Sequence, residues 1–300
     1  ISVFGVAALR LLPAFQNIFY YAHEINSRNA SLKNLYDLKI VPKQNILQSS
    51  EKPITAKVFK SIELRNISYK YPSAHSLALK DISFRLDRGQ KIALFGSSGS
   101  GKSTFLDVLL GLAIPSSGEC FIDGSQISFG SLNQYKKFFS YLPQKIFFLE
   151  ASVYENILFG AKDINLDKDE LNKIINSSSL SNLIKQLPNN IDTKLSEDQQ
   201  HISGGQKQLI GMARAFARGG EVLILDESTS AMDSKLESEM FEKVLNSSFD
   251  TLICITHKSS LLKKFDVIYF FHEGEIISSG SYEEIYQNNT LFKQVLDSDV

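Results

Sequence analysis

Two kinds of hydrophobic pattern divide this chain. From about residue 60 onward, short unbroken apolar runs such as EVLILDE and TLICITH alternate with stretches whose apolar positions recur at helical spacing. An unbroken run bounded by turn residues predicts a strand buried on both faces of a parallel sheet. SIELRNISYKY and ISFRLDRGQKIALFG read as further strands, each ended by Pro or Gly, and GECFIDG as a short strand closed by a glycine turn. Helices are predicted at 103–111, about 168–186, 205–218 and 234–246. Strands alternating with helices predict a doubly wound α/β domain.

The first 60 residues follow a different pattern. ISVFGVAALRLLPAFQNIFYY is apolar almost throughout, but Arg10 interrupts it and Pro13 is expected to disturb a helix. The unbroken run before Arg10 is nine residues, against the roughly 20 that span a bilayer. The basic n-region and cleavage site of a signal peptide are missing from it. Two readings stay open on pattern alone: an amphipathic helix of a soluble protein, or the cytoplasmic end of a membrane helix. Residues 14 to about 40 look helical, with charges appearing progressively from His23 to Lys39. VPKQNILQSSEKPITAKVFK, with two prolines in a polar mix, reads as a linker.

Composition narrows the classes. A chain of 300 residues that is 43% hydrophobic can bury one large domain and carry an appendage. A net charge of −1 argues against a bulk electrostatic grip on nucleic acid or on an anionic membrane. Cys120 and Cys254 fit no metal-ligand spacing and are expected to be buried thiols in a reducing compartment.

Chemistry enters with LFGSSGSGKSTFLDVLLGL, where Gly96-x4-Gly101-Lys102-Ser103 matches the phosphate-binding loop in full. Glycines at 96, 99 and 101 let the backbone N–H groups of Gly96, Ser97, Ser98, Gly99, Ser100 and Gly101 converge on phosphates. A helix starting near Lys102 adds its positive end. Lys102 is expected to reach the terminal phosphates, and Ser103, followed by Thr104, to ligate Mg²⁺. VLILDES places Asp226 and Glu227 at the end of a buried strand, where open α/β sheets bind their ligands. There Asp226 would hold Mg²⁺, and Glu227 would orient or deprotonate the attacking water. A third feature, ISGGQKQLIGMARAFARGG, sets Ser203, Gly204 and Gly205 just before a helix. It reads either as an ordinary N-cap or as a second phosphate site, and two such sites are redundant in one domain but complementary across a dimer.

With these motifs in order, residues 60 to about 295 resemble the ATP-binding cassette (ABC) ATPases, whose signature is the SGGQ of Ser203–Gln206, here preceded by Ile202 where Leu is usual. The resemblance implies a P-loop NTPase fold: a RecA-like core sheet, an antiparallel β-subdomain and an α-helical signature subdomain, with an N-terminal helical fragment. It implies ATP and Mg²⁺ as cofactors. It assigns Gln144 of SYLPQKIFF to Mg²⁺, to the water and to sensing of a transmembrane partner. Asp233 of SAMDS falls at the dimer interface, His257 of ITH at the γ-phosphate and Tyr71 of YKYP on the adenine, with Tyr69 as the fallback. Two domains would then face head to tail, the ATP on Gly96–Thr104 of one closed over by Ser203–Gln206 of the other. The second domain can be another copy of this chain, giving a homodimer, or a different one; nucleic acid is not expected as a partner. In DTKLSEDQQHISGGQ, Glu197 is kept while Ser196 and Gln199 stand where the family commonly has glycine, and Leu209 replaces a frequent arginine. These departures touch coupling to the membrane part and spare hydrolysis.

The ALRLLP stretch resembles the last helix of an exporter, especially transporters of lipid-linked sugars and similar amphipathic substrates. Residues 1–42 are thus expected to be the truncated end of a transmembrane domain, 43–60 a linker, and 61–300 the nucleotide-binding domain at the cytoplasmic face of the inner or plasma membrane. The alternative is a soluble or separately encoded ABC ATPase subunit, of importer or non-transport type.

Overall fold

A computed structural model describes residues 2–39, 58–72, 74–129, 136–161, 166–195, 202–227, 232, 234–247 and 249–298. The chain divides into two units, Ile1–Glu51 and Lys52–Val300. In the first, α1 (Ser2–Lys39) is a single helix of 38 residues that continues through Pro13. The expected disturbance at Pro13 does not end the helix. A proline removes one N–H donor, and flanking turns rich in Ala and Leu, good helix formers, carry the chain across. Apolar side chains such as Phe4, Leu12, Phe15 and Phe19 are exposed along it. No helix among the described residues is long and apolar enough to cross a membrane.

In the second unit, β1 (Ser61–Tyr69), β2 (Leu79–Asp87), β4 (Ser117–Ile122) and β5 (Ser125–Ile127) form an antiparallel sheet in the order β2-β1-β4-β5. The larger sheet contains β3 (Lys91–Phe95), β6 (Phe139–Leu142), β7 (Val222–Asp226), β8 (Thr251–Ile255), β9 (Val267–His272) and β10 (Glu275–Gly280), ordered β10-β9-β3-β8-β7-β6. All its pairings are parallel except that of β9 with β10.

Side chains of β3 alternate between two cores. Ile92 and Leu94 pack with α2 (Lys102–Leu109) and the antiparallel sheet; Ala93 and Phe95 pack with α3 (Val153–Leu158), α6 (Gly204–Arg218), α7 (Ser234–Leu245) and α10 (Thr290–Ser298). Both faces of β7 and β8 are covered in the same way, which is why their sequences are apolar without alternation. One face is therefore covered by a helix and a second sheet, and the other by helices.

Two predicted elements are split. The run 82–96 is two strands, because Arg88-Gly89-Gln90 turns with Gly89 at φ 87° and sends β2 and β3 to different sheets. The helix expected over 168–186 is α4 (Lys168–Ser177) and α5 (Ser181–Gln186). Between them the Ser178 hydroxyl donates to the Ile174 carbonyl at 2.8 Å and Ser179 adopts φ 59°, so a serine competes with the helix for its own carbonyls. In sequence, α8 (Ser259–Leu262) precedes the β9–β10 hairpin, and α9 (Tyr282–Asn288) follows it, ahead of α10.

Candidate nucleotide site

Because β3, β6, β7 and β8 run parallel, their C-terminal ends share one edge of the sheet. Gly96, Gln144, Glu227 and His257 each follow one of those ends by one or two residues. Four sequence-distant groups are gathered by this topology alone, as expected where ligands bind open α/β sheets.

The loop 96–101 is shaped by glycine. Gly96, Gly99 and Gly101 have φ of 149°, 77° and 105°, conformations that a Cβ disfavours. A Cβ on Gly96 would lie 2.2 Å from the Phe271 carbonyl oxygen. The loop closes on its own cation: Lys102 Nζ donates to the Gly96 carbonyl at 2.7 Å, the Ser97 carbonyl at 2.9 Å and Ser100 Oγ at 3.4 Å. Ser97 and Ser98 are exposed, whereas Ser100 and Lys102 are buried.

A cavity of about 500 Å³ lies over the loop, lined by Ser98, Gly99, Gly101, Lys102, Ser103 and Thr104, with Tyr71, Gln144 and Glu227. Tyr71 lines it and Tyr69 does not. The Tyr71 hydroxyl lies 3.0 Å from Thr104 Oγ1, and its ring meets Tyr69 edge-on at 5.0 Å between centroids. Sequence reasoning missed Ser76, Leu77, Ala78, Glu273 and Gly274, which complete the wall. These come from the segment just before β2 and from the β9–β10 turn, outside every motif.

Glu227 is held at both oxygens. Gln144 Nε2 donates to Oε2 at 2.7 Å, and His257 Nε2 lies 2.8 Å from Oε1. Its backbone sits at φ 44°, a left-handed conformation uncommon outside glycine and asparagine. Asp226, buried at the end of β7, accepts a hydrogen bond at Oδ2 from the Tyr141 hydroxyl at 2.9 Å. Burial pushes the Asp226 carboxyl above its ordinary range, and the Tyr141 hydrogen bond draws it partly back. Burial, then the Asp226 charge, raises the Tyr141 phenol in turn. Tyr141 was not legible as a site residue; its only signal is an aromatic three positions before Gln144.

The donor set fits a hard cation. The Ser103 hydroxyl, the Gln144 amide oxygen and the Asp226 carboxylate are oxygen ligands of the kind Mg²⁺ takes, with phosphate oxygens and water filling the rest. Among the described residues no three His, Cys, Asp or Glu cluster to hold a metal by themselves. Cys120 and Cys254 are buried thiols, not joined in a disulfide.

Away from this cavity, Ser203 caps α6. Its Oγ accepts from the Gln206 N–H at 3.2 Å, and Gln206 Oε1 accepts from the Ser203 N–H at 2.9 Å, a reciprocal capping box. Ser203 and Gly204 are exposed, and none of Ser203, Gly204, Gly205 and Gln206 lines the cavity over the phosphate loop. Leu209 is buried in the core on the same helix. Asp233, Ser196, Glu197 and Gln199 lie outside the described residues.

A buried polar network, also missed, ties α6 to the Gln144 loop. Gln208 Nε2 donates to the Gln144 carbonyl at 2.9 Å. Arg214 donates to the carbonyls of Asn156 and Phe147, both at 2.9 Å, and to Asn156 Oδ1 at 3.0 Å. Beside it a groove of about 290 Å³ opens among Phe147, Phe148, Phe159, Gly211 and Arg214, with Phe147 65% exposed at its rim.

Comparison with known proteins shows the family and the fold. The ABC transporter family profile matches residues 79–230. The ATP-dependent permease MDL1 of Candida albicans is 35% identical over 244 residues, covering 79% of this chain and 35% of the permease. The heterocyst differentiation ATP-binding protein HepA of Nostoc sp. is 30% identical over 292 residues, 95% of this chain and 46% of HepA. The chain thus spans less than half the length of these relatives. In fold, it is similar to a bacterial Atm1-family ABC exporter solved with ATP bound, at TM-score 0.76 and 24% identity, over 83% of this chain and 43% of that one.

Proposed function

Since the chain belongs to the ABC transporter family, we propose that residues 61–300 are the ATP-binding and ATP-hydrolysing domain of an exporter, and that 1–42 end its transmembrane domain, joined by a linker at 43–60. The observation that carries this reading is the placement of Glu227. It stands between Gln144 and His257 and lines the same cavity as Lys102 and Ser103.

On this reading each side chain has a defined task. The loop amides and Lys102 bind the phosphate chain, with Lys102 exchanging its carbonyl partners for phosphate oxygens. Ser103, Gln144 and Asp226 would hold Mg²⁺, which neutralises phosphate charge when bound. Tyr71 offers its ring to the adenine. Glu227 accepts the proton of the attacking water once it is released from its side-chain partners, and His257 donates to the γ-phosphate. In-line attack then needs little further chemistry from the protein than orientation and charge.

The cavity is only partly enclosed, and the exposed Ser203–Gly204 end of α6 is not part of its lining. That arrangement supports closure by Ser203–Gln206 of a second domain, with Asp233 at the interface and a second copy of this chain as the simplest partner. Coverage of 95% in the HepA match takes in most of α1 and supports reading it as part of the transporter's own chain. The aromatic groove beside Gln144 supports contact with the membrane part, at the cytoplasmic face. Cargo would be selected by the membrane helices, and a lipid-like or amphipathic substrate is the reading that ALRLLP favours.

The test is Glu227→Gln. Losing the base should lower Mg·ATP hydrolysis by about 10²–10⁴-fold, and the variant should accumulate as an ATP-bound dimer in size-exclusion chromatography. Hydrolysis persisting at the wild-type rate would sink the assignment.

A further inference from the structure

We propose that Tyr141 is a positioning residue for the divalent cation, fixing which oxygen of Asp226 faces it; this rests on the ATPase reading above. The starting observation is the contact between strands. Tyr141 pairs in register with Ile224 on the parallel β6–β7 ladder, and its hydroxyl reaches past that pair to Asp226 Oδ2 at 2.9 Å. Both ends are anchored. The Tyr141 ring packs against the core beneath α2, and Asp226 is 7% exposed at the end of a fully buried strand.

A carboxylate so placed has few ways to be oriented. Its Cα is fixed by the sheet, but the carboxylate can still rotate about its last single bond, and that torsion is broad. The phenol restricts this freedom by donating to Oδ2, which fixes the carboxylate plane and engages one of that oxygen's lone pairs. Oδ1 takes no hydrogen bond from a side chain among the described residues, so it is the less engaged oxygen and the one this orientation offers to the cation or its bound water. Outer-shell partners of this type set ligand orientation, and removing them typically weakens metal affinity or activity by about 10–100-fold.

The same bond could instead serve only to staple β6 to β7, and the two roles differ in what they move. A staple contributes to stability and to nucleotide binding whether or not the cation is present. A positioning residue contributes only to the increment that the cation adds.

The experiment measures affinity for a fluorescent ATP analogue in Mg²⁺ and in EDTA, for the wild type, Tyr141→Phe, Asp226→Asn and the double variant. Phenylalanine keeps the ring and its packing. The expected result is an EDTA affinity within about twofold of wild type and a Mg²⁺-dependent increment reduced about 10-fold. In the Asp226→Asn background, Tyr141→Phe should have no further effect. The assignment is overturned if the increment is unchanged, if both affinities fall in parallel, or if the loss is as large without Asp226. It is equally overturned if Tyr141→Phe abolishes folding, since the phenol would then be a staple. A wild-type protein that binds nucleotide with no Mg²⁺ dependence would overturn the ATPase reading itself, and that result is recognisable before any variant is made.

Discussion

Replacing Gly96 by alanine isolates what the phosphate loop requires of its backbone. Two costs coincide there. The residue sits at φ 149°, and strain of that kind costs about 1–3 kcal/mol. The new Cβ would also lie 2.2 Å from the Phe271 carbonyl oxygen, short of the 3.0 Å minimum by about 0.8 Å. Phe271 belongs to β9, which is hydrogen-bonded to β3, so the oxygen cannot swing aside as a side chain would. Relief has to come from moving the loop, and overpacking of this sort costs about 1–3 kcal/mol more. At the middle of these ranges Gly96→Ala should lose about 4 kcal/mol, or about 8–16 °C in Tm for a domain of this size. Gly124→Ala is the control. It carries a similar backbone penalty at φ 77° but has nothing within 4 Å of the new Cβ, so about 1 kcal/mol and about 2–4 °C are expected. Thermal denaturation without nucleotide reads both. A displaced loop should also lower turnover by about 10²-fold, the typical effect of a 1 Å misplacement. Equal losses in the two variants would refute the reasoning, because the Phe271 contact would then contribute nothing.

Two further outcomes follow from groups outside the motifs. Asn156 is fully buried and bonds Leu149 through both its backbone N–H and carbonyl, as well as Ala151, Ser152 and Arg214. Asn156→Ala leaves several of these unpaired and should cost about 3 kcal/mol or more, read as a lower urea midpoint with an unchanged m-value. Asp107 on α2 has its carboxyl raised above the ordinary value by burial. A raised acid favours the fold while protonated, and that contribution fades as pH rises above 3.8, its unfolded value. Asp107→Asn should therefore raise Tm at pH 7 and give no gain at pH 3; a gain that is the same at both pH values would contradict it.

The parts legible in the sequence are those whose cause is local. β7 and β8 announce themselves because both faces are buried, and the loop at Gly96–Ser103 because its glycines and Lys102 recur at one fixed spacing and shape a loop with positive φ that folds onto its own lysine. The SGGQ stretch was read as an N-cap or a second phosphate site, and the capping box of Ser203 and Gln206 bears out the first without removing the second. What stayed hidden was set by distance along the chain. Tyr141 meets Asp226 across 85 positions, Arg214 meets Asn156 across 58, and Gln208 meets Gln144 across 64. No periodicity reports such pairs, and a glutamine or tyrosine inside an apolar run reads only as a tolerated polar residue. Pro13 misled for the opposite reason. The proline rule is local, whereas α1 is long enough that one missing donor leaves it whole.

The double hold on Glu227 bears on what an unpaired chain does in a cell. Both carboxylate oxygens are spent on Gln144 and His257, and hydrogen bonds to a charged group are worth about 1.5–3 kcal/mol each. If Glu227 is the base, as proposed above, those bonds have to be given up before it takes a proton, and a copy that binds ATP without a counterpart would keep the nucleotide largely intact. Single chains would then drain little ATP, an economy of fuel set by the resting side-chain geometry ahead of any regulator.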